Sequence, residues 1–78
     1  MDMFLKVKAA KYINNYKIHL IFNNGESKTV DLWNQLNGKV FEPLRNLDYF
    51  QSFKIRFNTI EWENGADFAP EFLYEIGK

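Results

Sequence analysis

Apolar and polar residues alternate along the first third of the chain. Leu5, Val7 and Ala9 alternate with Lys6, Lys8 and Ala10, and Tyr16, Ile18, Leu20 and Phe22 alternate with Lys17, His19 and Ile21. Period-two alternation marks half-buried strands, and with the segment around Val30 it predicts three. A two-residue loop at Asn14-Asn15 sets Ile13 opposite Tyr16, Ala9 opposite Leu20 and Val7 opposite Phe22, with Lys11 opposite Ile18 as a blemish. Asn tolerates the positive φ that such loops need. The second turn contains Asn23-Asn24-Gly25. A two-residue loop there puts Ile18 opposite Asp31 and wastes the apolar face. A three-residue loop, with Gly25 left-handed in a bulge, pairs Ile18 with Val30, Tyr16 with Leu32 and Lys17 with Asp31. The buried face selects that register.

The middle of the chain is helical in short pieces. Asp31 can cap a turn through Leu32-Trp33-Asn34-Gln35-Leu36 that Gly38 ends, and Pro43 suits the first turn of a second helix with Leu44, Leu47 and Phe50 or Tyr49 as its stripe. A second hairpin follows. A two-residue loop at Asn58-Thr59 sets Phe57 opposite Ile60, Ile55 opposite Trp62, Arg56 opposite Glu61 and Lys54 opposite Glu63, so apolar and charged pairs agree. A last helix starts at Pro70 and stops at Gly77. These elements predict an α+β fold: a small antiparallel sheet of four to five strands with two to three short helices, in the order βββααββα. The helices are expected on the face made by Val7, Ile18, Leu20, Phe22, Val30, Ile55 and Trp62.

Composition sharpens this picture. The 78 residues form one domain, 1–78, whose core is thin, because a chain this short buries only about 60% of its unfolded surface. It has no Cys, and aromatic residues at 18% supply the bulk instead. The N-terminus has no apolar run long enough for a signal peptide, and no stretch approaches membrane-spanning length. A cytoplasmic protein without a membrane partner is therefore expected. Formal net charge is zero, which argues against a dominant polyanion-binding role. The charge is uneven, however. Lys6, Lys8, Lys11 and Lys17 fall in the first 20 residues, and Glu61, Glu63, Asp67, Glu71 and Glu75 fall in residues 61–78.

Several blocks resemble the bacterial domain of unknown function 2442 family. They are Phe22-Asn23-Asn24-Gly25, Val30-Asp31-Leu32, Phe41-Glu42-Pro43-Leu44 followed by Phe50, and the more specific closing block Ile60-Glu61-Trp62-Glu63-Asn64-Gly65-Ala66-Asp67, then Pro70-Glu71-Phe72-Leu73-Tyr74. The matches span nearly the whole chain. Members often carry Pro after the Trp and Leu after the Asp; here those places hold Glu63 and Phe68. The resemblance implies a small α+β fold and no established activity. Some relatives carry a helix-turn-helix region after this domain. Others are encoded beside a second small protein, which implies a toxin–antitoxin-like pairing.

Candidate chemistry is sparse. His19, the single His, lies mid-strand on the outer face opposite Ala10 or Thr29, with no Ser marked as an activated nucleophile. Glu61, Glu63, Asp67 and Glu71 are candidates for acid–base or cation chemistry. Each also has a structural role, since Glu61 and Glu63 face Arg56 and Lys54, and Asp67 and Glu71 suit the start of the last helix. Asn24-Gly25 and Asn64-Gly65 read as turns, since a phosphate-binding loop needs several glycines and a following Lys. Lys6 and Lys8 share one face with Lys17, and Tyr12 is nearby; they either contact a polyanion or protect an edge strand. With Ala10, His19 and Ile21 they outline a candidate contact surface of Tyr12, His19, Ile21, Lys6, Lys8 and Lys17. Trp33, Phe68 and Tyr74 are expected in the core. The reading that follows is a non-enzymatic protein-interaction module, with no catalytic, metal or cofactor residues implied, acting as a monomer or homodimer with a protein partner. The alternatives are a weak nucleic-acid-binding or regulatory module and, third, a small metal-dependent enzyme using the acidic C-terminal segment.

Overall fold

The computed structural model describes residues 4–78; the opening Met1-Asp2-Met3 of the N-terminal segment lies outside the described residues. Three strands come first, β1 (Val7–Asn14), β2 (Lys17–Phe22) and β3 (Ser27–Asp31). Two 3-10 turns, Trp33–Gln35 and Glu42–Arg45, lead into α1 (Leu47–Phe50). Then come β4 (Lys54–Arg56), β5 (Thr59–Glu61) and α2 (Pro70–Ile76). The class and order match the sequence reading, but the strands form two antiparallel sheets, β1-β2-β3 and β4-β5, rather than one of four to five strands. The small sheet meets β1 where the Val7 N–H donates to the Asn58 carbonyl at 2.8 Å.

Gly25 sets the β2–β3 register. Its φ of +88° closes a three-residue loop in which the Phe22 N–H donates to Glu26, and Lys17 faces Asp31 and Ile18 faces Val30 as expected. β1 departs from expectation. Val7 does face Phe22, but register shifts between Val7 and Ala9 and between Tyr12 and Asn14 place Ala9 opposite Ile21, Ala10 opposite Leu20, Lys11 opposite His19 and Tyr12 opposite Ile18. The turn falls at Asn15-Tyr16, with Asn15 at φ 47°, not at Asn14-Asn15. A one-residue slip exchanges the faces of a strand. Here it removes Lys11 from the apolar side and delivers Ala10 and Tyr12 to it.

The second hairpin also departs. Its turn is Phe57-Asn58, and Lys54 faces Glu61, Ile55 faces Ile60 and Arg56 faces Thr59. A loop at Asn58-Thr59 would force a β-branched residue toward positive φ, which such residues resist. Thr59 instead stays in the strand, buried, where its hydroxyl donates to the Phe68 carbonyl at 2.5 Å. The charged pairing survives in shifted form: Arg56 Nε lies 3.4 Å from the Glu61 carboxylate.

Packed against the sheet, one core joins Val7, Ile18, Leu20, Phe22 and Val30 to Leu32, Leu36, Leu44, Phe50, Ile60, Trp62 and Leu73. Ile55, expected on this face, is 41% exposed. Phe68 is buried as expected and Tyr74 packs partly buried on Phe22, but Trp33 is 49% exposed and lies over Tyr16 with ring centroids 4.7 Å apart. In the middle segment the Asp31 carboxylate accepts from the Trp33 N–H at 3.1 Å. The second expected helix breaks at Asn46, whose extended backbone (ψ 119°) separates the Pro43 turn from α1 and whose side chain accepts from the Tyr49 N–H.

After α2 the chain returns to the free edge of β3. The Lys78 N–H donates to the Thr29 carbonyl at 3.0 Å, and the Thr29 N–H to Lys78 at 3.4 Å. Gly77 makes this approach: a Cβ there would lie 2.7 Å from the Lys28 Cβ and 3.0 Å from the Leu73 carbonyl oxygen. Its φ of −71° is ordinary, so the constraint is space and not conformation. Gly77→Ala is expected to push α2 off β3 and cost about 1–3 kcal/mol, as overpacking does. Urea unfolding monitored by circular dichroism reads the loss directly, and an unchanged midpoint would show that this contact yields freely.

Candidate interaction surface

The outer face of the three-stranded sheet holds part of the expected site. β2 places Lys17, His19 and Ile21 there in alternation, with Ile21 44% exposed. Opposite them stand Asn14, Lys11 and Ala9 of β1 and Asp31, Thr29 and Ser27 of β3. His19 Nδ1 lies 3.2 Å from the Thr29 hydroxyl. Its cross-strand neighbours, Lys11 and Thr29, include no carboxylate to orient the imidazole as a base needs. Lys8 is exposed in the first β1 bulge. Lys6 is half-buried, and its backbone N–H donates to the Asn23 side chain at 2.8 Å. Tyr12 does not belong to this face: the shifted register turns it inward, where it meets Phe50 edge-on at a centroid distance of 6.2 Å. Ala10 turns inward with it.

At the β3 edge of the same face, Lys17, Thr29, Asp31, Ile76 and Lys78 line an open cleft of about 430 Å³. Among the described residues, the acids singled out in the sequence do not gather into one cluster. Glu61 meets Arg56 and bridges to the Asp67 backbone, and Glu71 takes the first turn of α2. Among the described residues, no group of three or more His, Asp or Glu side chains could hold a metal ion, and no helix is long and apolar enough to cross a membrane.

A second cluster ties α2 to the β2–β3 loop. The Tyr74 hydroxyl donates to the Glu26 carboxylate, and Lys28 Nζ sits 3.7 Å over the Tyr74 ring while donating to the Tyr74 carbonyl at 2.8 Å. The hydrogen bond to Glu26 raises the Tyr74 phenol above its ordinary value. Desolvation and the Glu26 charge add to this, and Asn24 opposes it. A raised phenol favours the protonated form in the folded chain. The contribution is complete below the ordinary tyrosine range near pH ~10 and is lost as pH rises through the folded value. In a spectrophotometric titration, the Tyr74 phenol should ionise late. Glu26→Gln should lower it toward the ordinary range by removing the carboxylate charge, and an unchanged late phase in that variant would assign it to another tyrosine.

The third feature is the β4–β5 turn. Phe57 has φ 50° and Asn58 φ 70°, the pair of left-handed residues that defines a type I′ hairpin turn. Asn suits that conformation; a bulky aromatic does not. Phe57 is nevertheless there, and 84% exposed. Ile55 precedes it, 41% exposed, and the Val7 N–H meets the Asn58 carbonyl of the turn. The tip is flanked by Lys54 and Arg56, both exposed.

The small α+β fold agrees with the resemblance seen in the sequence. A family model described as "Protein of unknown function (DUF2442)" matches residues 7–78. The chain belongs to that family. No curated protein and no solved structure matches it significantly. In this DUF2442 chain the match takes in the whole of both sheets and α2. The Phe57 tip was missed in the sequence because the chosen loop put Phe57 opposite Ile60. No sequence signal singles it out: one turn puts β-branched Thr59 and the other aromatic Phe57 at a positive φ, and both residue types resist it.

Proposed function

We propose that this DUF2442 chain is a non-enzymatic protein-interaction module, the partner subunit of a toxin–antitoxin-like pair. The observation that carries the reading is Phe57: an aromatic ring 84% exposed on a backbone that disfavours it. Strain of this kind persists where the surrounding structure enforces it, and it concentrates at functional sites. Exposed aromatics are the residues that anchor protein interfaces. The test is solution mass by light scattering, for the chain alone and co-expressed with the product of its neighbouring gene. A stable complex of the two is expected. A chain that ignores its neighbour overturns the pairing.

A second reading, a nucleic-acid-binding or regulatory module, is supported by the exposed Lys8, Lys11 and Lys17 of the first hairpin. It requires binding that weakens steeply with salt. An absence of any mobility shift with DNA or RNA at low salt removes it.

A further inference from the structure

The following rests on the protein-interaction reading and specifies its contact. We infer that the Phe57 hairpin tip inserts into an apolar pocket rimmed by carboxylates on a different protein. The insertion is argued from shape. A type I′ turn projects its first central residue at the extremity of the hairpin, and Phe57 makes so little contact with its own chain that 84% of it stays exposed. Ile55, 41% exposed, supplies a second apolar contact behind it.

The carboxylate rim is argued from charge. Lys54 and Arg56 precede the tip on β4, and both are exposed. Residues 54–61 contain one acid, Glu61, which is mostly buried and already holds Arg56 at 3.4 Å. That contact fixes the guanidinium while its side chain stays 56% exposed. The tip is thus an apolar point with a collar of two exposed cations, Lys54 and Arg56, that share one mostly buried carboxylate, on a chain whose formal charge is zero. A second copy of the chain is a poor occupant, because a two-fold contact would bring the collar against itself. A single-stranded nucleic acid is also disfavoured. Stacking uses a row of aromatic rings along a cationic groove, whereas here one ring stands at the end of a hairpin that also carries Glu61.

The test uses the full chain in its source cells with a photoreactive benzoylphenylalanine at position 57, and separately at position 21 on the outer sheet face. Irradiation is expected to join position 57 to one protein, at a peptide where apolar residues are flanked by Asp or Glu. With that protein purified, Phe57→Asn should weaken the complex at least about tenfold. The double variant Lys54→Glu with Arg56→Glu should weaken it comparably and flatten its salt dependence. An adduct from position 21 and none from position 57 overturns the tip as the contact and leaves the interaction module standing. No adduct from either position overturns both. An adduct of twice the chain mass, or one destroyed by nuclease, replaces the protein partner with a second copy or a nucleic acid. Full affinity in the charge-reversed variant removes the carboxylate rim.

Discussion

Trp62→Ala is expected to remove about 3–5 kcal/mol of stability, the range for deleting a buried aromatic. Trp62 is the largest fully buried side chain. Its ring is in contact with three others, with centroids 5.7 Å from Phe50, 6.1 Å from Phe53 and 6.0 Å from Phe68. Its Nε1–H donates to the Phe50 carbonyl at 2.9 Å. The side chain therefore joins β5 to α1 and to the segment before α2. A chain of this size has about 4–12 kcal/mol in total, at the per-residue stability of natural domains. The loss is a quarter or more of that, so the variant should melt far below the parent or populate unfolded chain at rest. Trp62→Phe separates the two parts of the effect: it keeps most of the ring and drops the donor. Leaving the Phe50 carbonyl unpaired should cost about 1–3 kcal/mol, clearly less than Trp62→Ala. Thermal unfolding by circular dichroism measures both. Equal losses would assign the role of Trp62 to its hydrogen bond, and negligible losses would place the core elsewhere.

The parts of this fold that were legible in the sequence are those where one residue's chemistry admits a single answer. Gly25 required a left-handed position, and with the apolar face it set the β2–β3 register. Pro70 and Gly77 delimited α2. The core residues of β2 and β3 followed from strict alternation. The parts that were misread are those where the pattern is degenerate. In the second hairpin, moving the turn by one residue shifts each cross-strand partner by two. A period-two pattern is unchanged by such a shift: Ile55 faces an apolar residue and Lys54 a glutamate in either register. The agreement of apolar and charged pairs is therefore uninformative: one turn strains Thr59 and the other Phe57, and what distinguishes the two is the burial of Thr59 with its hydroxyl on the Phe68 carbonyl. In β1 the uniform register left Lys11 on the buried face, and two bulges were the remedy. Bulge positions have no strong sequence mark where no Gly is present, so Tyr12 was placed on the wrong face.

That degeneracy hid the residue with the most unusual expected behaviour. Phe57→Asn should make the protein more stable. The ring is 84% exposed, so its removal gives up little buried area. The backbone at φ 50° remains, and Asn adopts it far more readily than an aromatic residue. Relief of a strained non-glycine position is worth about 1 kcal/mol, which in a domain of this size raises the melting temperature by about 4–8 °C. Most substitutions destabilise, so an increase from a change of aromatic to polar is diagnostic of strain held at this turn. Paired with the expected loss of partner binding, it would show stability given up for a displayed ring, the exchange seen where a site needs a conformation the fold does not favour. A fall in melting temperature would mean that Phe57 supports the fold through contacts its exposure conceals, and the strain argument for the tip would go with it.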